Sequence, residues 1–272
     1  MARPALKPIA SDDDAFDTTE VPAAVVCARC GRPDCPGCES PEETTHPSGV
    51  IAIIPWERPI GSTWSRLWST SLAVSLRTDS FFGPLSAGEV APSLRYSIAC
   101  ETIAVASVAL SLAAAVFAII PGITIDAMTD PRIRNIVLRL FALGIPGFAA
   151  LLVVMHLVWG WALDKGACRV GARSHRSQAL RFGLYSTGLD LMTSPVGLLY
   201  ALLAEGGRTA AKLLPAAVEV PRIATNALLR RVYHLADLPA ARARKFSTIT
   251  VSVLAPVLVL GTMIALVASL FL

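Results

Sequence analysis

Between Thr102 and Ile120 the chain runs for a full helical membrane crossing without a single charged residue, and between Ile249 and Leu272 it does so again. An α-helix needs about 20 apolar residues to cross a hydrocarbon core of about 30 Å, and few soluble folds tolerate such runs. These stretches fix the class before any motif is considered. An ionised side chain at mid-bilayer costs about 2.5 to 3.5 kcal/mol on insertion scales, which is why the charges lie between the apolar runs. Of 272 residues only 16% are charged, where a soluble domain carries roughly a quarter.

Three spans follow from this pattern: about 97–120, ended by Pro121-Gly122; about 136–163, with Gly144, Pro146 and Gly147 in its first half and Trp159 and Trp161 at its end; and about 249–272. Glycine and proline inside a span permit close helix approach or a kink, and tryptophans suit the membrane–water boundary. Upstream, Trp64, Leu67, Trp68, Leu72 and Leu76 recur at helical spacing opposite Ser65, Arg66, Ser69, Thr70 and Arg77. That pattern predicts an amphipathic helix within a 51–94 linker, lying either at the membrane interface or packed on the bundle.

Charge in the connectors sets the topology. Lys165, Arg169, Arg173, Arg176 and Arg181 face one acid, Asp164. Residues 205–245 are again basic, with Arg208, Lys212, Arg222, Arg230, Arg231, Arg242, Arg244 and Lys245 against three acids. Basic loops favour the cytoplasmic side. The apolar stretch 182–204 separates them and is broken by Gly183, Gly188, Asp190, Pro195 and Gly197. A helical hairpin over about 180–214, turning near Pro195, keeps both basic segments on one side where a single crossing does not. Residues 209–238 read as an interfacial amphipathic helix broken at Pro215 and Pro221. Met1 to Glu20 is polar, with Asp12, Asp13 and Asp14 where a signal peptide needs an apolar core, so a cytoplasmic N-terminus is expected.

Residues 1–50 are too poor in large apolar side chains to offset the entropy of ordering and read as disordered outside one motif. That motif is Cys27-Ala28-Arg29-Cys30-Gly31-Arg32-Pro33-Asp34-Cys35-Pro36-Gly37-Cys38. Two C-x-x-C pairs bring four thiolates within reach of one tetrahedral ion, and zinc, bound at about 2.3 Å, is the natural occupant. Cys27, Cys30, Cys35 and Cys38 are therefore the candidate ligands of a structural Zn2+, contributing on the order of 10 kcal/mol to the order of that segment. The pairs lie closer than in a zinc ribbon, where about 15 to 20 residues separate them. An iron–sulfur or redox site, and free or disulfide-forming thiols, are the alternatives.

Asp190 stands in an apolar stretch, where an ionisable side chain is a functional suspect; in a shallow hairpin it would simply lie near water. His156 reads as a hydrogen-bond donor inside the bundle, and Cys100 as a small buried apolar side chain. Cys168 lies at a membrane boundary. No phosphate-binding loop, nucleophile elbow or His-Glu-x-x-His pattern occurs, and no catalytic constellation is expected.

Ile54-Pro55-Trp56-Glu57, the Trp64/Trp68 helix, Ser80-Phe81-Phe82 and the run Ala179-Leu180-Arg181-Phe182-Gly183-Leu184-Tyr185 resemble prokaryotic members of the YIP family of Ypt/Rab-interacting multi-pass membrane proteins. The resemblance implies a bundle of about five membrane helices over 95–272 with a cytoplasmic N-terminus. Its eukaryotic members engage small prenylated GTPases and one another, machinery that prokaryotes lack.

Three functions fit these features. The first is a non-enzymatic scaffold or adaptor of the bacterial or archaeal cytoplasmic membrane, its zinc module recruiting membrane or cytoplasmic protein partners, with no role for nucleic acid and room for homo-oligomers. The second is a small transporter or channel component using the broken helix around Asp190. The third is a membrane-anchored metal or redox sensor. The cysteine motif predicts that full-length protein purified in detergent retains zinc through dialysis and that Cys27→Ser/Cys35→Ser loses it. Elemental analysis showing the same zinc in both would contradict the four-thiolate site.

Overall fold

A computed structural model describes residues 54–271, and every regular element among them is helical. The cysteine motif lies outside the described residues. A 3-10 turn, Pro55–Glu57, leads to α1 (Thr63–Leu76) and the short α2 (Thr78–Phe82). Then come α3 (Val90–Ile119), α4 (Pro121–Thr129) and α5 (Pro131–Arg169). After a short loop follow α6 (Arg176–Thr193), α7 (Pro195–Tyr200) with a π-helical turn at Ala201–Glu205, α8 (Gly207–Arg231) and α9 (Asp237–Phe271).

Helices α3, α5 and α9 are the three long enough and apolar enough to cross a membrane. Each extends beyond its uncharged run at the charged end: α3 begins at Val90 and α9 at Asp237. In α3 this matters, because Glu101 then lies well inside the helix. The pair formed by α6 and α7 with its π-helical turn also passes the length and polarity test together, but is bent by 68°. The break falls at Ser194-Pro195, where the sequence put the turn. Ser194 caps α7 by accepting a hydrogen bond from the Gly197 N–H.

Packing divides the bundle into a dense end and a sparse end. At the dense end α6 touches α1, α3, α5 and α8 and is buried almost throughout, including Arg181, Ser186 and Thr187. A helix enclosed on all sides has no polar face to show the solvent, which is why its sequence carries no amphipathic period. At the sparse end the side chains of α3 beyond Ala104, of the first half of α5 and of the second half of α9 point outward. Leu110, Leu112, Leu138, Val257 and Leu260 are all exposed. Between α3 and α5 there opens an apolar cleft of about 390 Å³ lined by Val105, Leu112, Phe117, Leu140 and Phe148.

Helix α1 packs on α6. Leu67, Trp68, Ser71 and Val74 face inward, and the Trp68 ring stacks on Tyr200 at 4.1 Å. Trp64, which the sequence put on the same face, is left exposed. Helix α8 also departs from expectation, since it runs unbroken through Pro215 and Pro221. Each proline removes one donor from the helix ladder, and the Thr225 hydroxyl donates back to the Pro221 carbonyl at 2.7 Å.

Crossing distances are set by small residues. A Cβ at Gly160 would collide with the Ala179 carbonyl of α6, and one at Gly183 with the His156 carbonyl of α5. With no side chain at either position, the two backbones come into direct contact. One polar hub closes the dense end. The buried Asp164 carboxylate accepts from the Ser174 hydroxyl at 2.9 Å, the His175 N–H at 2.9 Å and the Tyr233 hydroxyl at 2.8 Å. It thereby ties α5 to the start of α6 and to the loop before α9.

Burial, and then the bond to Asp164, hold the Tyr233 phenol well above its ordinary value. The folded chain therefore keeps that proton more tightly than the unfolded chain, and ionisation favours unfolding. Stability should be unaffected by this group up to about pH 10 and fall above it. Tyr233→Phe should lower stability by about 1.5 to 3 kcal/mol near neutrality and flatten the alkaline fall, as read by thermal unfolding in detergent. An unchanged alkaline limb in the variant would contradict this.

Candidate functional site

Where α3, α5 and α6 meet, three ionisable side chains converge. Glu101 comes from α3, His156 from α5 and Asp190 from α6. Their meeting follows from the packing just described. The contact at Gly183 brings α6 against the α5 backbone at His156, and Asp190 lies two turns further along α6 on the same side. On the other flank Gly188 makes room for the Tyr96 hydroxyl, which bonds the Ser71 hydroxyl at 2.7 Å and draws α3 onto α1 and α6.

His156 Nε2 lies 2.7 Å from Asp190 Oδ2 and 3.4 Å from Glu101 Oε1. His156 Nδ1 lies 3.0 Å from the Ser186 hydroxyl, which itself donates to the Gly183 carbonyl at 2.5 Å. With the hydroxyl proton committed to Gly183, Ser186 can only accept, so Nδ1 carries a proton. Nε2 then faces both carboxylates. It can satisfy them as the second N–H of an imidazolium, or through its lone pair by way of a cation lying between the three groups.

Glu101 decides what kind of site this is. It is 0% exposed, neither of its carboxylate oxygens makes a well-formed hydrogen bond, and the 3.4 Å approach of His156 Nε2 is its charge contact. Asp164 is buried to the same degree, yet donors from three residues surround it. A buried carboxylate with a full set of donors is a structural element; one with none carries its desolvation cost uncompensated unless something else neutralises it. Exposure is graded across the cluster. The side chain is closed at Glu101, 17% exposed at His156 and 41% exposed at Asp190, so Asp190 forms the open side. One ligand atom from each of the three residues lies within 4.8 Å of the others, close enough to hold a single metal ion.

Asp190 was legible as a suspect in the sequence, and the structure gives it partners. His156 is a hydrogen-bonding group of the bundle, as expected, but its partners are the groups that make it a candidate ligand. Glu101 was missed. It lies within the expected 97–120 span but immediately before the uncharged run that starts at Thr102, where a charge reads as belonging to the span's edge. Cys100 is fully buried with a free thiol and Cys168 is free and half-buried. Cys27, Cys30, Cys35 and Cys38 lie outside the described residues. Comparison with protein-family models, with functionally characterised proteins and with solved structures finds no match.

Glu101 has one charge partner at 3.4 Å and no full set of donors, so its loss should disturb the fold less than that of Asp164. Glu101→Met, of similar length and without charge, is expected to leave stability nearer that of the unaltered protein than Asp164→Ala does. Asp164→Ala, which orphans its donors, should lower stability by about 1 to 3 kcal/mol. Thermal unfolding of the two variants in one detergent checks the contrast; a loss in Glu101→Met as large as that in Asp164→Ala would make Glu101 a structural residue.

Proposed function

We propose that this chain is a multi-pass membrane protein that handles a cation inside its helical bundle, as a small transporter or channel component. The observation that carries the reading is Glu101: a wholly buried carboxylate with no well-formed hydrogen bond, 3.4 Å from His156 Nε2 and clustered with Asp190. A fold that retains such a group at a cost in stability does so for what the group binds, and ionisable clusters within membrane bundles mark ion pathways. The break at Ser194-Pro195, one turn beyond Asp190, supports the same reading, since interrupted helices at membrane depth accompany transport sites. In the arrangement proposed, the basic segments 164–181 and 205–245 lie on the cytoplasmic side with the N-terminus. Residues 180–214 form a hairpin that turns near Pro195 and returns to the same side, giving about five membrane helices, as the YIP resemblance implies.

The adaptor and sensor functions rest on the cysteine motif, which the described fold neither favours nor opposes. They would add to a cation-handling bundle without replacing it. Cation flux into proteoliposomes, followed with an enclosed indicator, separates the two. Asp190→Asn and Glu101→Gln should each reduce flux at least about tenfold while the protein inserts normally, whereas an adaptor tolerates both changes. No flux above that of empty liposomes with the unaltered protein would overturn the reading.

A further inference from the structure

The geometry points to a divalent transition-metal ion as the cation, held by Glu101, His156 Nε2 and Asp190 with Ser186 orienting the imidazole. This rests on the cation-handling reading and names the ion class at the same site. Three features select the class. The first is charge: two carboxylates and a neutral imidazole sum to −2, so a divalent ion leaves a buried cluster neutral and a monovalent ion does not. The second is ligand type. Imidazole beside carboxylates suits Zn2+, Mn2+, Fe2+ and their neighbours, whereas Mg2+ and Ca2+ take oxygen ligands alone.

The third is distance. Tetrahedral bonds of about 2.0 to 2.2 Å place neighbouring ligand atoms about 3.3 to 3.6 Å apart. The His156 and Glu101 atoms already stand at 3.4 Å, and the His156–Asp190 pair at 2.7 Å needs to open by less than an ångström. Asp190, being the most exposed of the three, is the ligand free to make that movement. The Glu101 oxygens make no well-formed hydrogen bond, and the Nε2 proton that would compete for Oε1 at 3.4 Å is the one a metal displaces from His156. The Nδ1–H bond to Ser186 fixes the tautomer that aims the Nε2 lone pair at the metal, as a second hydrogen-bonding shell does around ligating histidines. Three protein ligands leave a position for water or for an incoming ligand, which suits an ion that must leave again.

The test is Co2+ binding to the full chain in detergent after chelation, in a background of Cys27→Ser, Cys30→Ser, Cys35→Ser and Cys38→Ser that removes thiolate ligation. Co2+ held by nitrogen and oxygen gives visible d–d bands without the intense sulfur charge-transfer absorption of a thiolate site. One Co2+ per chain with that spectrum is expected, displaced by Zn2+ and not by Mg2+. His156→Gln and Glu101→Met should abolish it, and a cooperative thermal transition of Glu101→Met close to that of the unaltered protein excludes misfolding as the cause. Ser186→Ala, which keeps all three ligands, should weaken binding on the order of tenfold. Absence of the d–d bands, or bands indifferent to Glu101→Met, would overturn the proposal. Metal binding without flux would sustain this site and remove the transport reading; Asp190-dependent flux of a monovalent cation without metal binding would do the reverse.

Discussion

The contact of α5 with α6 at Gly160 and Gly183 is the constraint from which the rest of the bundle follows. With two backbones touching, no side chain can fill the gap between them, and the residues flanking the crossing are fixed in position relative to one another. His156 lies at that crossing and Asp190 two turns beyond it. The same contact buries α6 on a second side, so the helix's polar groups must find partners within the protein. Arg181 meets Glu57 at 2.6 Å, Tyr185 reaches the same carboxylate and Ser186 takes His156. Helix α1 and the Pro55–Glu57 turn are thereby held on the bundle by the needs of α6 as much as by their own apolar faces.

The two buried acids show how one fold uses the same chemical group in opposite ways. Asp164, at the end of α5 where charged residues resume, gathers donors from a loop, a helix start and a tyrosine, and its role is to hold three chain segments together. Glu101 is as buried but makes no well-formed hydrogen bond, with only His156 Nε2 beside it at 3.4 Å. Burial alone would not separate them. The count of hydrogen-bond donors does, because it tells whether the cost of desolvation has been offset within the protein.

What the sequence made legible was whatever a bilayer imposes directly. The uncharged runs in α3, α5 and α9 could be assigned because charge is excluded from hydrocarbon, and Ser194-Pro195 because a proline preceded by a capping serine favours a break. Features set by tertiary packing were not legible. The orientation of α1 depends on where Tyr200 and α6 stand, so Trp64 looked equivalent to Trp68. The continuity of α8 through two prolines depends on the bundle around it. Asp190 stood out because it interrupts an apolar stretch, whereas Glu101 did not, because a charge next to an uncharged run reads as the end of a span. The extension of α3 back to Val90 puts it well inside the helix, and the crossing of α5 and α6 shows what it faces.

The claim at the centre of this account is that the Glu101 carboxylate is where a cation binds. Infrared difference spectroscopy of membrane-reconstituted protein, recorded as Zn2+ is perfused on and off, addresses it most directly. The account predicts reversible carboxylate-stretching bands in the unaltered protein, part of which vanish in Glu101→Gln. A difference spectrum identical in the two proteins would mean that no cation reaches Glu101, and would contradict the account.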